Sequence, residues 1–207
     1  TVMLAVDASA SGLFGTIAKS KHRLIAETGA AIAYTAMRNN DRVGMLRFSD
    51  DIDLYLPPRM GPRHLLRTLR ELLGGEPAGA GTAFVRVLET LGSVLHQRSI
   101  IFLASDFLPP PGATTDDLAR PLAVLSRRHD VIALRATDPS EGTLPKVGLI
   151  ELADPETGER VLFDTSSRKL RKRHAELVAR QRAESDRLLA RTGVDIIALS
   201  TARPFGV

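Results

Sequence analysis

Four short apolar runs, separated by segments of helical periodicity, constrain the fold of this 207-residue chain. The runs are Val2–Val6, Val43–Leu46, Ile100–Ala104 and Val131–Leu134. Apolarity so continuous over so few residues suits strands buried on both faces, as in a parallel sheet. Between them, Leu24, Ile25, Thr28, Ile32 and Ala36 recur at helical spacing, followed later by Leu65, Leu66, Leu69, Leu72 and Leu73. Phe84, Leu88, Leu91 and Leu95 mark a further helix, opened by Thr82 after a Gly-rich loop. Strands alternating with helices predict an α/β fold: a doubly wound, mainly parallel sheet flanked by helices. Ile52, Leu54 and Leu56 alternate with Asp51, Asp53 and Tyr55, which predicts a half-exposed edge strand stopped by Pro57-Pro58.

The second half continues the pattern. Leu118, Leu122 and Leu125 mark a helix in which Pro121 implies a late start or a kink. Residues 149–152 and 160–163 flank Asp154-Pro155-Glu156-Thr157-Gly158, a β-hairpin signal added to the main sheet. A long basic helix follows over 167–192, with Leu170, Leu177, Val178 and Leu188 on its inner face. Gly193 caps it, and 194–199 form the last strand. The length suits one large domain over 1–207, and the abrupt start at a strand suggests a piece of a longer protein.

The polar residues at the ends of these strands carry the chemistry. Asp7-Ala8-Ser9-Ala10-Ser11 follows the first run and puts one carboxylate and two hydroxyls on a single loop. All are hard oxygen ligands of the kind that Mg²⁺ prefers. Asp106 follows the run at 100–104, and Thr82 opens a helix on the same edge. In a doubly wound sheet, ligands bind outside the carboxyl ends of the strands where strand order reverses. Asp7, Ser9, Ser11, Thr82 and Asp106 are therefore the candidate metal ligands. The glycines at 79–81 and Phe107-Leu108 would shape the rim. Asp, Ser and Thr after strands also serve as helix caps and turn formers, so each residue has an ordinary structural use as well.

Composition excludes several alternatives. No cysteine is present, so there is neither a disulfide framework nor a thiolate site, which fits a reducing compartment. No apolar stretch approaches the length of a membrane span, and the start has no signal-peptide pattern. The net charge of +4 is concentrated between Arg168 and Arg191. That stripe reads as a solvated helix, with binding of anionic membrane or nucleic acid as its functional alternative. Aromatic content of 4% with no Trp argues against base stacking.

The three loops resemble the metal-ion-dependent adhesion site of the von Willebrand factor A domain, whose pattern is Asp-x-Ser-x-Ser, then Thr, then Asp. The stretches at 7–16, 38–44, 105–108, 127–132 and 147–152, with the Gly193-Val194-Asp195 ending, are similar to the bacterial domain of unknown function 58. Genes of that family commonly neighbour MoxR-type AAA+ ATPases. The resemblance implies a cytoplasmic domain that binds Mg²⁺, with Mn²⁺ suited to the same oxygens, and whose parent is tethered to the inner membrane. It further implies an adaptor in protein assembly or maturation, whose protein partner supplies a Glu or Asp to the metal. That partner would be a MoxR-type ATPase or its client.

An enzymatic alternative is a Mg²⁺-dependent phosphate hydrolase with Asp7 as nucleophile. The usual phosphotransferase loop has a second Asp two residues on, where this chain has Ser9. Phosphate-binding Gly-x-x-x-x-Gly-Lys, dinucleotide-binding and serine-hydrolase motifs are absent. His22, His64, His96, His129 and His174 lack metal-ligand spacing and read as surface or helix-end residues. No residue is assigned a catalytic role.

Overall fold

The computed structural model describes residues 1–9, 20–74, 83–108, 114–153 and 160–202. Strands β1 (Val2–Asp7), β2 (Val43–Phe48), β4 (Ile100–Ala104), β5 (Asp130–Thr137) and β8 (Asp195–Ser200) run parallel. Strand β3 (Ile52–Arg59) closes one edge antiparallel to β2, giving the order β3-β2-β1-β4-β5-β8. From β1 the chain steps outward to β2 and β3, then returns to the other side of β1 for β4. The reversal point thus lies between β1 and β4. Strands β6 (Leu149–Ala153) and β7 (Arg160–Asp164) form the separate antiparallel hairpin that the turn signal predicts.

Alternation along β1 sorts its side chains between two cores. Met3 and Ala5 face helices α3 (Phe84–Val94), α4 (Thr115–Arg128) and the end of α5 (Arg168–Thr192). Val2, Leu4 and Val6 face α1 (Lys21–Arg38) and α2 (Pro62–Gly74). All six β1 residues are buried, which is why the run is apolar throughout until Asp7. The close fit extends to the backbone at Gly44. A Cβ there would lie 2.7 Å from Met3 Sδ, 2.9 Å from Pro58 Cγ and 3.0 Å from the Leu56 carbonyl. The proline ring and the carbonyl cannot swing aside, so Gly44→Ala should cost about 1–3 kcal/mol, read as a lower urea midpoint.

Three local expectations need correction. The strand is not stopped by Pro57-Pro58, because β3 continues through both to Arg59. Proline is tolerated there because β3 is an edge strand. Helix α4 does not start late at Pro121: it begins at Thr115 and contains the proline. Its start is held by the Asp117 carboxylate, which accepts from the Thr114 backbone N–H at 2.7 Å and from its hydroxyl at 3.0 Å. Leu177 is not on the inner face of α5 but 54% exposed. The helix is buried chiefly near its end, at Ser185, Leu188, Leu189 and Thr192, before Gly193 caps it at φ +71°.

His129 takes the helix-end position that the sequence suggests, as the C-cap of α4, yet it is buried. It is 2% exposed, and neither ring nitrogen has a hydrogen-bond partner among the described residues. Burial, reinforced by the neighbouring Arg128, holds its pKa below the usual histidine value, against a smaller opposing pull from Asp130. The folded state thus keeps the imidazole neutral where the unfolded chain protonates it. This contribution to stability is present above the unfolded value and is lost as pH falls through the lower folded one. His129→Leu should therefore lose less stability than the parent chain between about pH 7.5 and pH 5, measured by urea unfolding.

Candidate metal centre

Two of the predicted ligand loops leave neighbouring strands at the reversal point. Asp7 ends β1, and Ser105 and Asp106 follow β4 directly. The Asp7 carboxylate is 7% exposed, and each of its oxygens is engaged: Oδ1 accepts the Ser9 backbone N–H at 3.0 Å, and Oδ2 accepts the Ser105 hydroxyl at 2.9 Å. Ser105 Oγ in turn accepts the Phe107 N–H at 3.2 Å, and Asp106 Oδ1 accepts the Leu108 N–H at 3.2 Å. Asp7, Ser9, Ser105 and Asp106 line a cavity of about 20 Å³, together with Lys21, Ile25 and Ala136. Such a space holds about one water-sized species.

Burial pushes the Asp7 carboxyl up to about 6. Hydrogen bonds from Ser9 and Ser105 oppose the rise, while the negative charge of Asp106 adds to it. A carboxylate desolvated beside a second one is poised to accept a cation, and its lone pairs outnumber its protein donors. The donor set therefore fits a hard divalent ion: two carboxylates and neutral hydroxyls around an ion-sized space. Among the described residues there is no trio of His, Asp or Glu side chains that could hold a metal. Binding here would rest on mixed carboxylate and hydroxyl coordination.

The start of α3 is tied to the other two loops from beneath. Phe84, the first residue of α3, packs edge-on against Phe48 at the end of β2 and against Phe107, with ring centroids 6.0 and 5.4 Å away. Ala83 caps α3 and donates its N–H to the Ser49 carbonyl at 2.7 Å, while Ala8 donates to the Phe48 carbonyl at 2.8 Å. The helix-cap position is thus taken by Ala83, one residue after Thr82. Ser11, Thr82 and the glycines at 79–81 lie outside the described residues.

Phe107 does not shape the rim. It is fully buried, with φ +58°, and anchors the loop from below, while Leu108 lines an adjoining cleft. Ser105 and Lys21 are the contributors that the motif overlooks. Ser105 directly precedes Asp106 after an apolar strand, a signal legible beforehand. Lys21 is brought in by the start of α1 and is held by Glu141 at 2.6 Å.

A doubly wound sheet with an Asp-Ser loop at its reversal point is the architecture of a von Willebrand factor A-like domain. The chain aligns with the SpRpn10 VWA domain at a TM-score of 0.52 and 11% identity, over 98% of this chain and 89% of that one. The chain belongs to the family described as "Protein of unknown function DUF58", which matches residues 1–184. It is 31% identical over 203 residues to the uncharacterized protein Rv1480 of Mycobacterium tuberculosis, covering 97% of this chain and 62% of that protein. It therefore spans less than two thirds of that relative's length. It is also 36% identical over 105 residues to the uncharacterized protein in the moxR 3′ region of Paracoccus denitrificans, covering 50% of this chain and 94% of that protein. Among the described residues, no helix is long and apolar enough to cross a membrane.

Proposed function

We propose that this domain is a non-catalytic, divalent-cation-dependent protein-binding adaptor. The observation that carries the reading is the convergence of Asp7, Ser9, Ser105 and Asp106 on one ion-sized cavity at the strand-order reversal. Asp7, Ser9, Ser11, Thr82 and Asp106 would hold Mg²⁺, which when bound supplies an electrophilic position for an oxygen anion. Two carboxylates roughly balance a divalent charge, so a partner's Glu or Asp is the natural completing ligand. Ser105 orients Asp7 through the 2.9 Å hydrogen bond. Ser185 donates to the Asp106 carbonyl at 3.3 Å and steadies that loop.

The relative named for its place in a moxR 3′ region supports a MoxR-type ATPase or its client as partner. On this reading the domain works in the cytoplasm, its parent tethered to the inner membrane, and the cysteine-free composition fits a reducing compartment. The test is titration of Mg²⁺ and Mn²⁺ by calorimetry into the parent chain and Asp106→Ala. Saturable binding lost in the variant is the expected result. Equal heats in the two proteins would remove the site.

A further inference from the structure

We infer that the cleft beside the candidate metal centre is a second anion subsite, so that the partner segment carries two acidic residues: one for the metal and one for a pair of arginines. This rests on the adaptor reading and specifies its partner. The cleft, about 490 Å³, shares Lys21 and Asp106 with the ion-sized cavity, so a ligand at the metal extends directly into it. Its floor is β5 and β8. Its walls are the 3₁₀ turn at Pro139–Gly142 and the Val178–Ser185 stretch of α5.

Most charged groups lining the cleft already have partners. Lys21 pairs with Glu141, and Asp138 accepts from the Ser140 N–H at 2.8 Å and the Thr201 hydroxyl at 2.6 Å. Two guanidinium groups retain donor capacity. Arg182 is exposed on α5 and has no ion-pair or hydrogen-bond partner among the described residues. Arg135 on β5 has a side chain only 12% exposed and pairs with Asp186. That pair engages its Nη1, while its Nε is buried with no hydrogen-bond partner among the described residues.

A buried guanidinium donor without an acceptor is costly, and a carboxylate is the group that would satisfy both the Arg135 Nε and the exposed Arg182. With a divalent ion in the neighbouring cavity the combined surface gains positive charge, so an acidic segment is the complementary occupant. A compact space of this volume is about 10 Å across, the span of about three extended residues. Acidic residues two apart, whose side chains leave an extended chain on the same side, meet that spacing.

The experiment uses fluorescein-labelled peptides Gly-Glu-Gly-Glu-Gly and Gly-Glu-Gly-Gln-Gly, titrated with the 207-residue chain in excess Mg²⁺ and followed by polarisation. The di-acidic peptide should bind at least about five-fold more tightly to the parent chain, and Arg182→Gln should erase most of that preference. Calorimetry with Mg²⁺ alone on the same variant should show unaltered metal binding. Equal affinities for the two peptides on the parent chain, or a preference that survives both Arg182→Gln and Arg135→Gln, overturns the subsite while leaving the metal reading intact. Loss of the preference together with loss of Mg²⁺ binding would make Arg182 a support of the metal loop, and also overturns it. Absence of Mg²⁺ binding by the parent chain fails the adaptor reading, and the subsite with it. Free glutarate displacing the di-acidic peptide at equal concentration would reassign the cleft to a small dicarboxylate, against a protein partner.

Discussion

Replacing Asp7 by Asn is expected to abolish Mg²⁺ binding and to stabilise the metal-free protein at about pH 7.5 by about 1–3 kcal/mol. The two effects have one cause. Burial raises the Asp7 carboxyl from 3.8 to about 6, so the ion-free fold favours its protonated form. The associated stability is present below the unfolded value and is lost as pH rises through about 6, leaving a desolvated charge at neutral pH. Asparagine removes the charge, keeps an oxygen for the Ser9 N–H and offers the Ser105 oxygen a donor. Metal affinity in the parent chain should have the opposite pH dependence, strengthening as pH rises through about 6, because the ion competes with that proton. Urea unfolding in chelator and calorimetry in Mg²⁺ measure the two halves. A variant less stable than its parent at neutral pH would show that Asp7 serves the fold rather than a ligand.

Phe84→Ala is expected to have the largest effect on stability, about 3–5 kcal/mol, measured by urea or thermal unfolding. Phe84 is 1% exposed and is the ring that Phe48 and Phe107 share, so truncation loses two edge-on contacts as well as buried area. Those three rings join the end of β2, the start of α3 and the segment that follows β4. Mg²⁺ affinity should also fall by about ten-fold, through loss of the platform beneath the ligands. Phe84→Leu keeps much of the volume and should recover most of the affinity. An alanine variant that is destabilised yet binds Mg²⁺ normally would uncouple platform from site.

The sequence disclosed the strands and helices because each buried element is apolar on the side, or sides, it buries. Val2–Val6 is buried on both faces and reads so. It also pointed to Asp7 and Asp106 as candidates, because they lie at the carboxyl ends of apolar strands, where a doubly wound sheet binds its ligands. The remainder depends on contacts between distant residues. Pro57 and Pro58 would end an interior strand, but the edge position that spares them is a property of the whole sheet. Leu177 has helical spacing but lies on a stretch of α5 with little beneath it. Phe107 adjoins a ligand in sequence yet points into the core, because its left-handed backbone is held by packing against Phe84. The arginine cleft brings β5, β8, a 3₁₀ turn and α5 together, and no local pattern announces such a convergence.

The two borders of the sheet differ in how they meet other molecules. Pro57 and Pro58 deprive β3 of two amide donors, so that border is a poor template for a further strand. Across the sheet, β8 has no neighbour beyond β5 among the described residues, and Ile196 and Ile197 are 37% and 41% exposed on it. A strand added to this sheet would therefore find more free backbone donors along β8 than along β3. Two copies joined two-fold across β8 would run antiparallel at the seam. Their candidate metal centres would then open at opposite ends of one continuous sheet, free to engage two separate partners at once.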